Sequence, residues 1–339
     1  MKNKTFFFRF SLPIVGVLLL FLNSCNKDDK LPSVTTIEVT DISYTTATSG
    51  GKITDDGGTT ITKCGICWAT SENPTINNFK SEDGTGSESF KSSLIGLYPY
   101  TKYYVRAYAT NSNGTGYGEN IIFTTQGSAF TDSRDGNIYK TVTIGNQEWM
   151  AENLRYLPSV VPSTVGSNTS SYYYVYDYNG FEVADAKASK NYSTYGVLYN
   201  WNAAMNGETS STTNPSGVQG ACPSGWHLPS DAEWTQLTDY LGGESVAGGK
   251  LKEIGTTHWT SPNTSATNEI GFTALPGGAR INYGGTFTFM FIGEDGRWWS
   301  ATEDDATHAW YRDMGNYGSS VNRMVYSKNA GFSVRCVKN

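Results

Sequence analysis

The rhythm of apolar and polar positions changes three times along the chain. Residues 12–22 form an unbroken apolar run of 11 residues behind Lys2, Lys4 and Arg9. A membrane-spanning helix needs about 20 apolar residues, so this run reads as the hydrophobic part of an export signal. Between residues 34 and 125 the period becomes two. Short alternating runs at 36–43, 46–53, 61–69, 89–95, 102–110 and 121–125 are separated by turn residues such as Asp55-Asp56-Gly57-Gly58, Asp83-Gly84 and Asn113-Gly114. That pattern predicts an antiparallel sandwich.

After the linker 126–132 the pattern loosens. A strand is expected at 138–144, turned by Gly145-Asn146 into 147–150. A polar, tyrosine-rich stretch then runs from Tyr156 to Tyr195. One strongly helical segment stands at about 230–241. Ser230 and Glu233 form a capping box, Trp234, Leu237, Tyr240 and Leu241 recur at helical spacing, and Gly242 or Gly243 closes it. Strands are expected again at 271–278, 297–302, 309–314, 324–327 and 331–337. The chain therefore divides into a signal (1–24), a tether (25–33), a first domain (34–125), a linker (126–132) and a second domain (133–339).

Composition narrows the function classes. Removing residues 1–24 leaves 22 basic and 31 acidic residues, a net charge of −9. An acidic chain is a poor ligand for polyanions, so nucleic acid is an unexpected partner. Abundant Gly, Tyr, Ser, Thr and Asn suit strands and turns rather than helical bundles. Cys64 and Cys67 lie three apart in one strand and so face opposite ways. They read as two unpaired thiols, not a redox pair or a zinc site. The three histidines, His227, His258 and His308, are scattered, and His227 reads as a packed residue with a satisfied hydrogen bond.

Three resemblances sharpen this picture. Leu22-Asn23-Ser24-Cys25 resembles the lipobox of bacterial lipoproteins, which implies cleavage before Cys25 and attachment of lipid to its sulfur. Asn26-Lys27-Asp28-Asp29-Lys30 resembles the signal that carries Bacteroidota lipoproteins to the outer face of the outer membrane. Leu97, Pro99, Thr101, Tyr103 and Val105 resemble the Leu-x-Pro-x-Thr-x-Tyr-x-Val run of fibronectin type III domains, in which the tyrosine bonds back to the backbone. Strand alternation then turns Tyr103, Val105, Ala107 and Ala109 inward and Tyr104, Arg106 and Tyr108 outward.

The segments GNQEWMAENL (145–154), YGVLYNWNAA (195–204), CPSGWHLPSDAEW (222–234), GFTALPGGAR (271–280), WWSATE (298–303) and GFSVRCVK (331–338) resemble the Fibrobacter-type major paralogous domain. That family is similar in turn to the C-type-lectin-like and sulfatase-modifying folds. The resemblance implies a mostly β protein, with a fibronectin type III-like sandwich followed by an α+β C-type-lectin-like domain. It also implies a disulfide between Cys222 and Cys336. A loop of over 100 residues would contribute roughly 4–5 kcal/mol on the chain-entropy model.

No catalytic constellation stands out. The sulfatase-modifying scaffold implies a reactive cysteine pair, but Cys222 and Cys336 are the only cysteines available in the second domain. Calcium-dependent lectins use acidic motifs that Ser261-Pro262-Asn263 and Trp299-Ser300-Ala301 replace, so no cofactor is expected. Glu294-Asp295 and Glu303-Asp304-Asp305 are weak candidates for calcium. Tyr172, Tyr174, Tyr176, Trp298 and Trp299 are the candidate ligand-contacting aromatics, with one of the adjacent tryptophans expected to face outward. The expected protein is a non-enzymatic lipoprotein, held to the membrane by lipid on Cys25 and exposed at the cell surface, which binds a glycan or a protein. The alternatives are an enzyme on the sulfatase-modifying scaffold and a structural component of the envelope.

Overall fold

The computed structural model describes Met1, residues 30–86 and residues 89–339. The expected export segment and Cys25, the expected lipidation site, lie outside the described residues. None of the helices among the described residues is long and apolar enough to cross a membrane.

The alternating region forms eight strands: β1 (Ser33–Thr40), β2 (Ala47–Asp55), β3 (Lys63–Ala69), β4 (Phe79–Lys80), β5 (Ser89–Leu94), β6 (Lys102–Asn111), β7 (Gly114–Tyr117) and β8 (Ile121–Thr124). One sheet runs β1-β2-β5. The other runs β4-β3-β6-β7, with β8 also paired to β6. All six expected strands are present, and β4 and β7 were not anticipated. Cys64, Ile66 and Trp68 of β3 meet Tyr103, Val105, Ala107 and Ala109 of β6 between the sheets, as alternation requires. The Tyr103 hydroxyl accepts a hydrogen bond from the Tyr98 N–H at 3.0 Å, the expected corner.

Alternation misplaces the other face of β6. Tyr104 and Tyr108 point away from the core yet are buried. The connection from β3 to β5 folds over them, and the Tyr108 hydroxyl donates to the Ser81 carbonyl at 2.6 Å. Cys64 and Cys67 are both free and buried, on opposite faces of β3. The Cys67 thiol donates to the Pro74 carbonyl at 3.3 Å, and burial pushes its pKa up to about 11, so it is a packing group.

The second region contains β9 (Ser128–Thr131), β10 (Ile138–Ile144), β11 (Gln147–Met150), β12 (Tyr173–Tyr174), α1 (Val183–Ala188), α2 (Lys190–Tyr195), β13 (Leu198–Tyr199), α3 (Trp201–Met205), β14 (Trp226–His227), α4 (Asp231–Tyr240) and α5 (Glu244–Leu251). It continues through β15 (Gly277–Tyr283), β16 (Thr286–Ile292), β17 (Asp295–Glu303), β18 (His308–Gly315), β19 (Asn322–Ser327) and β20 (Val337–Lys338). The last strand returns to the beginning, because one sheet runs β14-β20-β11-β10-β9. A second sheet runs β16-β15-β17-β18-β19. Helix α4 has both halves of its capping box. The strand expected at 271–278 is mostly irregular, and strand structure starts at Gly277. The 331–337 segment joins its neighbours through isolated bridges before β20. Helices α1, α2 and α5 and the β15–β16 hairpin were not foreseen.

Strand β17 separates two apolar clusters. Trp298 lies in the cluster with Trp149, Trp234 and Phe272. Trp299 lies in the other, with Tyr199, Tyr311 and Phe332. The Cys222–Cys336 disulfide is present, its two positions 114 apart in sequence, and it is buried in the second of these clusters.

Three buried cations organise the long connections of this domain. The Lys252 ammonium donates to the carbonyls of Thr264, Gly315 and Gly318 at 3.1, 2.9 and 2.7 Å. The Arg280 guanidinium donates to the carbonyls of Ser163, Asn329 and Val165 at 2.6, 2.5 and 2.9 Å, with its plane over Tyr174 and Phe287. Arg335 donates to the carbonyls of Phe272 and Thr273 and to Asn153. Irregular backbone has buried carbonyls with no ladder partner. A long cation can satisfy several at once.

Candidate functional site

The two domains meet along a packed seam. Tyr44 packs against the Trp149–Trp234 cluster of the second domain. The Thr45 hydroxyl donates to the Glu269 carbonyl at 3.2 Å, and the Lys140 ammonium donates to the Thr101 hydroxyl at 2.8 Å. Gly271 has φ +74°, and a Cβ there would stand 2.5 Å from the Pro99 ring. Only glycine allows both that backbone and that approach.

A cavity of about 340 Å³ opens on this seam. Tyr98 and Pro99, from the turn that enters β6, form one wall. Lys140 of β10, the segment Ala151–Asn153 with Arg155, and Glu253, His258 and Arg335 supply most of the rest, with Thr194 and Leu275 also at the wall. Its size and its position between domains are those of a small-molecule site.

The polar groups are ordered. Glu253 is buried. Its carboxylate accepts from the Tyr98 hydroxyl and from His258 Nδ1, the latter at 2.8 Å. The carboxylate on Nδ1 orients the imidazole ring, and His258 lines the cavity. Burial, reinforced by Glu253, raises the Tyr98 pKa, so the phenol stays protonated as the donor. Glu152 accepts from the Lys140 N–H at 2.9 Å and from Arg155 at 3.4 Å. Asn153 Oδ1 accepts from Trp298 Nε1 and Arg335, while its amide donates to the Tyr195 carbonyl. Burial pulls the Arg335 guanidinium down to about 9, which leaves it charged near neutrality.

Residues 142–338 match the model of the family described as the Fibrobacter succinogenes major domain. The chain belongs to that family. The Fibrobacter succinogenes major domain thus covers more than half of the chain and supplies every cavity wall but the Tyr98–Pro99 turn and Lys140. None of the curated proteins matches the chain. Among solved structures, domains A168–A170 of titin align at 23% identity, over 29% of this chain and 32% of that one, with a TM-score of 0.22. The FN1–FN3 domains of chicken CNTN1 align at 17% over 29% and 32%, with a TM-score of 0.23. The sensor domain of the anti-sigma factor RsgI4 of Pseudobacteroides cellulosolvens aligns at 15% over 29% and 96%, also at 0.23. The alignments span about a third of the titin and CNTN1 chains.

The aromatics singled out from sequence do not line this site. In the major domain Trp298 and Trp299 do face opposite ways, but both faces of β17 are covered, so neither reaches solvent. Tyr174 is buried under Arg280. Tyr172 and Tyr176 are half-buried, and Tyr176 packs on Phe289 with ring centroids 5.1 Å apart. Trp298, Trp299 and Tyr174 are therefore core residues rather than an exposed ligand surface, while Tyr172 and Tyr176 stay partly exposed.

The weak calcium candidates are engaged elsewhere. Asp295 pairs with Arg297 at 2.9 Å and Glu303 with Lys328 at 2.7 Å, while Asp305 accepts the Thr307 and His308 N–H groups. Among the described residues, no group of three or more acidic, His or Cys side chains is placed to hold a metal ion. His227 is packed as expected, between Glu233 at 2.6 Å and Asn339 at 2.8 Å.

Sequence reading missed Lys140, Asn153, Glu253, His258 and Arg335. One signal was present: Arg335 is the charged residue inside the mostly apolar final segment Phe332–Val337. A charge in such a place needs a buried partner set.

Proposed function

We propose that this protein is a lipid-anchored, non-enzymatic binding protein, displayed outside the cell, whose ligand sits where its two domains meet. The observation that carries the reading is the seam cavity. Side chains of both domains build it, and Glu253, held by Tyr98 of the first domain, orients His258 of the second. The return of β20 beside β14 and β11 and the Cys222–Cys336 bridge support a C-type-lectin-like reading of the second domain. The bridge also leaves no free thiol in the second domain for the oxidase chemistry of the sulfatase-modifying scaffold. The lipobox-like Leu22–Cys25 segment supports the anchor.

A thermal-shift screen of the exported chain against mono- and disaccharides, sugar acids, amino acids and short peptides tests the binding reading. A hit should be weakened by Tyr98→Phe. A screen in which nothing raises the melting temperature defeats it. Palmitate labelling that is lost in Cys25→Ser, together with protease accessibility on intact cells, tests the anchor and its display.

The oriented His258 favours a second reading, in which it acts as a general base on the bound ligand. Turnover of a screening hit that disappears in His258→Gln while binding persists would establish it.

A further inference from the structure

We infer that the seam cavity receives a small organic acid of single-sugar size, with its carboxylate on Lys140 and the charge of Arg335 behind it. The inference rests on the binding-protein reading and adds the chemistry of the ligand.

The two carboxylates of the cavity are already supplied with donors. Glu253 takes Tyr98 and His258, and Glu152 takes the Lys140 N–H and Arg155. The cations are less well matched. The Lys140 ammonium has the neutral Thr101 hydroxyl as its hydrogen-bond partner. Arg335 donates to two carbonyls and an amide oxygen, and its buried Nε has no partner. Burial lowers the pKa of both cations, and Glu152 only partly offsets it. Besides His258, the lining residues include three cations, Lys140, Arg155 and Arg335, against two anions, Glu152 and Glu253, in a chain whose net charge is −6.

Arg335 is buried and Lys140 half-buried, both hydrogen-bonded to neutral partners; such cations are costly, and a bound anion supplies the missing charge. An ammonium with spare N–H groups is a good direct partner for a carboxylate. The remainder of the cavity describes the remainder of the ligand. A volume of about 340 Å³ is far more than a simple inorganic anion fills. Pro99, Ala151 and Leu275 offer apolar wall to a carbon skeleton, while His258 Nε2 and the Thr194 hydroxyl can bond ligand hydroxyls.

The test is isothermal titration of the exported chain, disulfide intact, at low salt with glucuronate, galacturonate, glucose, succinate and inorganic phosphate. At least one uronate should bind, and glucose, succinate and phosphate should bind at least about tenfold more weakly. Lys140→Met should weaken uronate binding about tenfold or more, and Lys140→Arg should restore much of it. Lys338→Met, which removes the same charge at the surface ion pair with Glu148, should leave binding unchanged. Glucose binding as tightly as a uronate, or Lys140→Met binding like the wild type, overturns the inference. So does a chain that binds no uronate. If another compound of the wider screen still binds and responds to Tyr98→Phe, the binding-protein reading survives. If nothing binds, both fail.

Discussion

The two domains of this chain are held together by different means. In the sandwich, regular ladders satisfy the backbone, and the core is the set of inward residues on alternating strands. In the major domain the regular β15–β19 strands are joined to short strands and long irregular connections. The irregular segment 331–333 bridges β15 and β17, and side chains must satisfy the backbone of such segments. The second domain therefore uses a long-loop disulfide, carbonyl-bound cations and indole N–H groups, including those of Trp259 and Trp299. Buried charge in this domain signals carbonyls without strand partners, and it makes the domain depend on single residues far more than the sandwich does.

The sharpest way to separate the two regions is reduction. Losing the Cys222–Cys336 bridge opens a loop spanning 114 positions and should cost the major domain roughly 4–5 kcal/mol on the chain-entropy model. Calorimetry of Cys222→Ser/Cys336→Ser should show its transition collapse toward lower temperature while a sandwich transition remains. A shared, equal loss would mean that the seam makes the two domains one cooperative unit.

Arg280→Met should cost about 3 kcal/mol in urea unfolding, because it strands the buried carbonyls of Ser163, Val165 and Asn329. Arg106→Met in the sandwich, where one guanidinium bond to the Gly118 carbonyl is lost from a partly exposed residue, should cost no more than about 1 kcal/mol. Equal losses would remove the distinction drawn above.

Tyr103→Phe should cost about 1 kcal/mol through loss of the Tyr98 N–H bond. That loss should be confined to the sandwich transition.

The smallest effect should be pH-dependent and confined to the major domain. Burial pulls His227 down, but the Glu233 carboxylate and Asn339 outweigh it, so its folded pKa lies above the ordinary 6.5. A raised folded value stabilises the fold fully below the unfolded pKa, and that stabilisation is lost as pH rises through the folded value. The major-domain melting temperature should therefore fall from pH 6 toward alkaline pH more steeply in the wild type than in His227→Gln. Parallel slopes would show that the pair stays neutral throughout.

The same contrast decides what was legible. Ladder positions repeat locally, so Tyr103, Val105, Ala107 and Ala109 could be assigned to the core from spacing alone. The capping box of α4 is likewise written in four consecutive residues. Trp298 and Trp299 could be assigned to opposite faces, but not to buried ones, because what covers a sheet comes from elsewhere in the chain. The cavity was illegible for the same reason. Tyr98 and Glu253 are 155 positions apart, and no local pattern records their meeting.

The sequence by itself determined the rhythm of the sandwich, the tyrosine corner, the capped helix and membership of a family in which Cys222 and Cys336 pair. Each of these depends on neighbours along the chain or on a motif. Tertiary structure alone decided which aromatics are buried, which carbonyls need a cation, and that Lys140, Glu253, His258 and Arg335 share one cavity. The physical reason is range. Propensity and periodicity act over a few residues, whereas burial and charge compensation depend on segments that only the finished fold brings together.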